Sequence, residues 1–259
     1  MLRDAYNTLL AEYRKVGGPE FDQHDIDQAA ISYAYNTCAV EGNTISLGET
    51  ETIIITDKVV PGHSLREHLE IKDAHDAFKR MHGFIQEGFE MSESLAMTFH
   101  RLNTRSWIKE DSAGQYKTIT NRVGGRSTPY PEKAKQLFKD LFGKIKEIQD
   151  PFIKASTLHL ETVLIHPWQD GNGRTARLMM NYELVKNGHG HLQISKKDKD
   201  TYFMAIRTSI DKKNAQPFHD FLYQLAIQTY QKKIEFLKKK DLTDQKDSVW
   251  GYNHSLEIY

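Results

Sequence analysis

The sequence predicts an all-α domain that carries one small β-hairpin. Over most of the 259 residues, apolar side chains recur at spacings of three and four, which is the period of an amphipathic helix. Residues 114–131 depart from this period, because polar and apolar side chains alternate there before Gly124 and Gly125, as is typical of a hairpin. No repeat or linker divides the sequence, so we expect a single domain at 1–240 and a polar C-terminal tail at 241–259.

The first helix expected in this domain covers about residues 23–41. Ile26, Ala30, Tyr33 and Ala34 form one apolar stripe, and Gly42 follows at the position where glycine usually ends a helix. The same period predicts further helices at 46–56, 64–86, 90–104, 132–148, 152–165, 173–187, 198–210 and 216–239.

Composition excludes several classes of protein. Lys and Arg together number 35, as do Asp and Glu, so the net charge is zero and does not indicate a protein that binds nucleic acid through its overall charge. Hydrophobic residues make up 39% of the chain, which excludes an acidic disordered protein. A single cysteine, Cys38, cannot form an internal disulfide, so we expect a reducing, cytoplasmic compartment. We expect no membrane segment and no signal peptide, because no apolar run approaches the ~20 residues that span a bilayer.

The stretch from His166 to Arg177 carries the chemistry. An apolar helix ends at His166, and Pro167 prevents its continuation. Gly171, Asn172 and Gly173 then form a turn of high backbone freedom directly before a new helix. Successive backbone N–H groups at such a helix N-terminus form a site for anions.

Charged side chains surround this turn. Arg174 and Arg177 share one helix face, and guanidinium groups bind phosphate oxygens in pairs. Asp170 precedes the turn and is suited to Mg²⁺, which prefers oxygen ligands shared with a phosphate substrate. His166 can accept a proton near neutral pH. The residues therefore indicate a site for a phosphoanhydride, with a metal carboxylate and a base.

This stretch resembles the signature of the Fic family, His-Pro-Phe-x-(Asp/Glu)-Gly-Asn-Gly-Arg-x-x-Arg. Trp168 stands where the family has Phe, and that position packs beneath the loop, so a large aromatic side chain should serve. The resemblance covers roughly residues 20–230 and implies a Fic-type helical bundle with a hairpin flap.

The resemblance implies that the protein is an adenylyltransferase, which transfers AMP from ATP to a Ser, Thr or Tyr hydroxyl of a target protein. His166 would deprotonate the hydroxyl, and Asp170 would hold Mg²⁺. The amides of Gly171 to Gly173 and the Asn172 side chain would hold the α- and β-phosphates. Arg174 would bind near the β-phosphate, and Arg177 would bind the γ-phosphate.

A second motif, Thr37 to Gly42, resembles the inhibitory motif (Ser/Thr)-x-x-x-Glu-(Gly/Asn) of family members whose inhibitory helix is N-terminal. The resemblance implies that Glu41 pairs with Arg177 in place of the γ-phosphate. A carboxylate there removes the cation and adds a like charge, which opposes productive ATP binding. In some members this glutamate instead positions water to remove AMP from the modified target. An enzyme that acts mainly as a de-AMPylase is therefore an alternative function.

The hairpin matches in position the family's flap, which binds a target segment as an added strand. Candidate contacts are Thr118, Ile119, Thr120 and Arg122. Tyr202 and Phe203 lie where the family places aromatic residues near adenine, and a core role is equally open for them. A nucleotide-binding regulatory or interaction protein with little transferase activity is the alternative function. Family members often dimerise, so a homodimer is also open.

Overall fold

The computed structural model describes residues 1–18, 22–123 and 125–249, with side chains described as far as residue 239. Within these ranges it consists of helices and one two-stranded antiparallel sheet, which confirms the expected fold class. None of the helices in the described ranges combines the length and apolar character that a bilayer crossing requires. The helices are α1 Leu2–Lys15, α2 Gln23–Glu41, α3 Leu47–Thr56, α4 Leu65–Gln86, α5 Glu93–Thr104, α6 Pro131–Lys146, α7 Pro151–Ile165, α8 Asn172–Lys186, α9 Lys199–Lys212 and α10 Gln216–Val249.

The chain forms two compact units. One comprises residues 1–20 and 223–259, in which Tyr13 of α1 stacks on Tyr230 of α10 at 5.2 Å between ring centroids. The other comprises residues 21–222 and contains both signature motifs. The expected boundary of a single domain at residue 240 stays a prediction.

The helices of the larger unit begin and end where local chemistry favours it. Ser46 and Ser64 cap α3 and α4, each with a glutamate three residues later that bonds back to the cap. Gly42 ends α2 with φ 105°, a left-handed conformation that glycine adopts without steric cost. Asp150 accepts two backbone N–H bonds at the start of α7.

The core of this unit lies between α4, α5, α6, α7 and α8. Phe78, Phe99, Phe138, Leu158 and Trp168 are fully buried in it. Helices α7 and α8 pack against each other, and α2 packs against α4 with a contact to α8. The loop between α7 and α8 therefore packs on this core through Trp168.

Three details differ from the sequence expectations. Helix α1 was not predicted, although Tyr6, Leu10 and Tyr13 recur at helical spacing and are buried. The hairpin is shorter than 114–131, because β1 covers Arg122–Val123 and β2 covers Arg126–Ser127. Helix α10 continues to Val249, into the expected tail, and the rest of that tail lies outside the described residues.

Candidate active site

The loop from His166 to Gly171 joins α7 to α8. His166 ends α7 with φ 53° and ψ 61°, a left-handed conformation that is uncommon for a residue with a side chain. Gly171 precedes α8 with φ 77°, and a Cβ there would lie 2.5 Å from Thr104 Cγ2. Both the backbone angle and the close approach therefore require glycine at position 171.

Asn172 holds the loop from inside. Its side-chain oxygen accepts a bond from the Trp168 N–H at 3.1 Å, and its side-chain nitrogen donates to the Trp168 carbonyl at 2.9 Å. Both polar atoms of the side chain thus bond within the loop, and the expected contact of Asn172 with phosphates stays a prediction. The backbone N–H of Asn172 remains part of the α8 N-terminus.

His100 supports the same loop from α5. Its ring stacks on Trp168 with 4.5 Å between centroids and 5° between planes. Its Nδ1 accepts from the Gly114 N–H at 2.9 Å, so its Nε2–H donates to the Asp170 carbonyl at 2.9 Å. Burial lowers the pKa of His100 to about 4, which keeps this neutral tautomer at neutral pH.

His166 lies on the wall of a cavity with a volume of about 580 Å³. Its Nδ1 lies 3.4 Å from the Val163 carbonyl, and burial lowers its pKa to about 4. The imidazole is therefore neutral near pH 7 and able to accept a proton. The cavity is also lined by Glu41, Val123, Arg126, Ser127, Thr128, Leu160, Glu161, Val163, Leu164, Gly173, Tyr202, Phe203, Ile206, Ser209, Ile210, Lys213, Asn214 and Ala215.

Arg177 of α8 binds the C-terminal end of α2. It donates to Glu41 Oε1 at 2.7 Å, to Thr37 Oγ1 at 2.8 Å and to the Thr37 carbonyl at 2.9 Å. The Arg177 side chain is 2% exposed and that of Glu41 is 33% exposed. Burial would raise the pKa of Glu41, but the charges of Arg177 and Arg174 outweigh it and lower that pKa.

Gly173 lies directly beneath the Glu41 carboxylate. A Cβ at this position would be 2.2 Å from Glu41 Oε1 and 3.1 Å from Arg177 Nη1. That Nη1 is buried and makes no hydrogen bond of good geometry within the described part of the chain, although the Tyr202 hydroxyl interacts with the same guanidinium. A buried cationic N–H without a partner is costly, so the space above Gly173 is suited to an anion.

Arg174 contacts different residues from those that Arg177 binds. Its guanidinium lies 3.1 Å from Glu70 Oε1, 3.7 Å from Asp170 Oδ1 and 4.4 Å from the centre of the Trp107 ring. Its side chain is 3% exposed, and its Nε and Nη1 make no hydrogen bond of good geometry within the described residues. The expected contact of Arg174 with phosphate stays a prediction.

Asp170 lies at the start of the turn with its carboxylate half exposed. Its Oδ1 accepts from the Gly171 N–H at 2.7 Å, and its Oδ2 accepts from Arg66 at 2.7 Å. Arg66 also donates to Glu70 and lies 4.6 Å from the centre of the Trp107 ring. Burial would raise the pKa of Asp170, but the Gly171 N–H and Arg66 lower it, so the carboxylate is charged.

The hairpin residues expected to contact a target are all exposed. Thr118, Ile119 and Thr120 precede β1, and Arg122 donates to the Gly125 carbonyl across the turn at 2.7 Å. On β2, Arg126 donates to Asp211 of α9 at 2.5 Å. The hairpin therefore meets α9 beside the cavity that contains His166.

Sequence reasoning missed His100, Arg66, Glu70, Trp107 and Lys117. Each contacts the signature loop or its arginines from a distant part of the chain, so no local spacing indicates the contact. The available signal was residue type, since a polar residue in an apolar stripe, such as His100 in α5, needs a hydrogen-bond partner.

Residues 90–184 match the family model described as the Fic/DOC family. The chain carries a Fic domain. Among curated relatives, the protein adenylyltransferase fic-1 of Caenorhabditis elegans is 31% identical over 214 residues, which cover 80% of this chain and 41% of the relative. The protein adenylyltransferase Fic of Nematostella vectensis is 32% identical over 209 residues, which cover 79% and 48%. The Fic-domain chain thus spans between two fifths and one half of the length of these relatives.

Solved structures of Fic proteins have the same fold as this chain. Fic-1 of C. elegans superposes with a TM-score of 0.80 at 24% identity, covering 92% of this chain and 73% of the other. A Fic-domain signalling protein of Bacteroides thetaiotaomicron gives a TM-score of 0.79 at 23% identity, covering 91% and 97%. The Fic-type helical fold is therefore confirmed beyond the 90–184 segment.

Proposed function

We propose that this chain is a protein adenylyltransferase, which transfers AMP from ATP to a Ser, Thr or Tyr hydroxyl of a target protein. One observation carries the proposal: a neutral His166 lies on a cavity wall that also includes Gly173 at the N-terminus of α8. The names of the curated relatives support the same activity.

The reaction follows from these positions. The neutral imidazole of His166 takes the proton of the target hydroxyl, and the hydroxyl oxygen attacks the α-phosphorus of ATP. A P–O bond forms to the target, the bond between α- and β-phosphates breaks, and pyrophosphate leaves. The N–H groups of Asn172 and Gly173 stabilise the phosphate charge at the start of α8, where the helix dipole favours an anion, and the Gly171 N–H holds the Asp170 carboxylate beside them.

Arg177 is the proposed partner of the γ-phosphate. Its buried Nη1 lies close to Gly173 and makes no hydrogen bond of good geometry within the described residues, although the Tyr202 hydroxyl interacts with the same guanidinium. A γ-phosphate oxygen at this place would satisfy that donor and would occupy the position of the Glu41 carboxylate. Bound ATP and the contact between Glu41 and Arg177 are therefore alternatives, and Glu41 acts as an internal inhibitor.

Asp170 fits a Mg²⁺ ion that enters with ATP. Mg²⁺ on nucleotides usually binds one or two carboxylates and completes its shell with phosphate oxygens and water. Asp170 supplies one charged, half-exposed carboxylate beside the α8 N-terminus. The described residues contain no cluster of three or more metal-ligating side chains, so an ion held by protein alone is not part of the proposal. Bound Mg²⁺ would offset the negative charge of the phosphates.

The test uses ATP labelled in the α-phosphate and three proteins: the unchanged chain, Glu41→Gly and His166→Ala in the Glu41→Gly background. We expect weak labelling of lysate proteins by the unchanged chain and an increase of about tenfold or more in Glu41→Gly. His166→Ala should abolish that labelling. Mass spectrometry should identify AMP on a hydroxyl.

A nucleotide-binding protein without transferase activity would give a different result. Glu41→Gly would then bind ATP, seen as a rise in melting temperature, without labelling any protein. Phosphate instead of AMP on the labelled residue would also contradict the proposal.

A further inference from the structure

A cluster of three side chains closes the base of the hairpin. Lys117 Nζ donates to Thr128 Oγ1 at 2.7 Å and to Asn121 Oδ1 at 3.1 Å, and Thr128 Oγ1 lies 2.6 Å from Asn121 Oδ1. Thr128 also donates its backbone N–H to the Asn121 carbonyl at 3.1 Å. Lys117 is only 4% exposed, so this ammonium is a buried donor at the centre of the base cluster.

The base cluster is bonded to the signature loop. Asn121 Nδ2 donates to the carbonyls of Trp168 at 3.3 Å and Gln169 at 3.2 Å. The Lys117 N–H donates to the Pro167 carbonyl at 2.9 Å. Three successive carbonyls directly after His166 are thus held by the segment that leads into the hairpin.

The charge of Lys117 acts together with the loop carbonyls and the Thr128 hydroxyl to fix which way the Asn121 amide faces. An ammonium group only donates hydrogen bonds, so it requires the Asn121 oxygen on its side. The Asn121 nitrogen then faces the loop carbonyls, which only accept. With the amide reversed, two donors would meet at Lys117 and two acceptors would meet at the loop.

We propose that Lys117 is a positioning residue, which orients Asn121 and thereby fixes the hairpin against the loop that carries His166. The effect on catalysis rests on the proposed function, in which the hairpin binds the target segment. The contact then holds the hairpin at a fixed distance from His166, the catalytic base. Without the ammonium, the hairpin is no longer fixed to the signature loop, and the target hydroxyl is no longer aligned with His166.

Lys117 also acts on His166 through its charge. Burial lowers the pKa of Lys117 to about 8, so it is cationic at and below neutral pH. The charged groups that act on His166 are Lys117, which lowers the His166 pKa, and Asp170 and Glu41, which raise it. Loss of the Lys117 charge should therefore raise the His166 pKa. Burial is the larger cause of the low value, so exposure of the ring would raise it as well, and the pKa is interpreted together with the protection of α7 and α8.

The first measurement is amide hydrogen exchange of residues 118–128 without nucleotide. Lys117→Met keeps the length of the side chain and removes its donors, and Asn121→Asp keeps the contact with Lys117 but removes the donors to the loop. We expect about tenfold faster exchange in each variant and little further change in the double variant, because both break the same connection. Lys117→Arg should restore protection to within about twofold, and Lys109→Met, at an exposed lysine, should exchange as the unchanged chain does.

The second measurement follows the His166 ring by NMR as pH is lowered. Lys117→Met should raise the pKa of His166, and Lys117→Arg should leave it unchanged. Unchanged exchange in Lys117→Met, or equal acceleration in Lys117→Arg, overturns the proposal. If Lys117→Met loses protection throughout α7 and α8, it has unfolded, and the exchange of Asn121→Asp then decides the result. Neither measurement needs AMP transfer, so a chain without transferase activity would overturn the proposed function and leave this result intact.

Discussion

Two ion pairs flank the signature loop at the same distance but in different surroundings. Glu41 and Arg177 meet at 2.7 Å, and the Arg177 side chain is 2% exposed. Arg66 and Asp170 also meet at 2.7 Å, but their side chains are 55% and 47% exposed. Water screens the charges of the exposed pair, but it cannot solvate the buried guanidinium of Arg177 in place of Glu41. Burial, rather than distance, therefore determines how strongly each ion pair holds the loop.

Of the changes at these two ion pairs, Glu41→Gly should have the largest effect on the free energy of unfolding. It leaves a buried guanidinium without its carboxylate, which should cost about 2–3 kcal/mol of unfolding free energy, since Thr37 still binds Arg177 and Glu41 is partly exposed. ATP should restore much of the loss by supplying a new anion. Thermal unfolding with and without ATP measures both changes. An unchanged melting temperature would show that the pair is as weak as a surface contact.

Thr37→Val should give a smaller effect on the same pair. The hydroxyl of Thr37 accepts from Arg177 Nε at 2.8 Å, and valine has a similar shape without that acceptor. We expect a loss of about 1–2 kcal/mol of unfolding free energy and a few-fold rise in AMP transfer. Thr52→Val, at a threonine of α3 that bonds only to its own helix turn, is the matched control and should leave transfer unchanged. Transfer in Thr37→Val at the level of Glu41→Gly would mean that Thr37, not Glu41, carries the inhibition.

Arg66→Ala should have a modest effect, on Mg²⁺ rather than on stability. The exposed pair contributes about 0.2–1 kcal/mol, so freeing Asp170 should lower the Mg²⁺ concentration for half-maximal ATP binding by at most about fivefold. Calorimetric titration of ATP at several Mg²⁺ concentrations measures this shift. A higher Mg²⁺ requirement would mean that Arg66 assists the nucleotide instead of competing with its metal.

The ratio of transfer rates between Glu41→Gly and the unchanged chain should change least, on a shift of pH between 6 and 8. The pKa values of Glu41 and Asp170 are both lowered, so the stabilisation from each carboxylate is complete above its ordinary pKa and is lost only as pH falls through the lowered value. The His166 pKa of about 4 keeps that base neutral throughout the same range. The ratio of transfer rates between Glu41→Gly and the unchanged chain should therefore be equal at pH 6 and pH 8. A ratio that changes more than about twofold would contradict the charge states assigned here.

The sequence predicted the site best where the chemistry is contiguous. His166, Asp170, Gly173 and Arg177 lie within one loop and the first two turns of α8, so spacing alone brings them together. Glu41 was found because a second short motif carries it, and the structure places it on Arg177.

Partners that come from distant helices could not be found in this way. Arg66 reaches Asp170 across 104 positions of the chain, and Asn121 reaches Trp168 across 47, so both contacts depend on packing. The length of the hairpin could not be predicted from the sequence either. Exposed residues such as Ile119 follow the alternating pattern but do not pair in the sheet. Helix α1 could have been predicted from the sequence, since its apolar residues recur at regular helical spacing.

The close approach at Gly173 has a consequence for evolution. A side chain at this position and a carboxylate on Arg177 would compete for one volume, because a Cβ would lie 2.2 Å from Glu41 Oε1. Positions 41 and 173 should therefore not mutate independently. A lineage that acquires a larger residue at 173 displaces the Glu41 carboxylate from Arg177, and selection on the acid at 41 should then relax. Substitution histories of the two positions should be correlated, although they are separated by more than half of the chain.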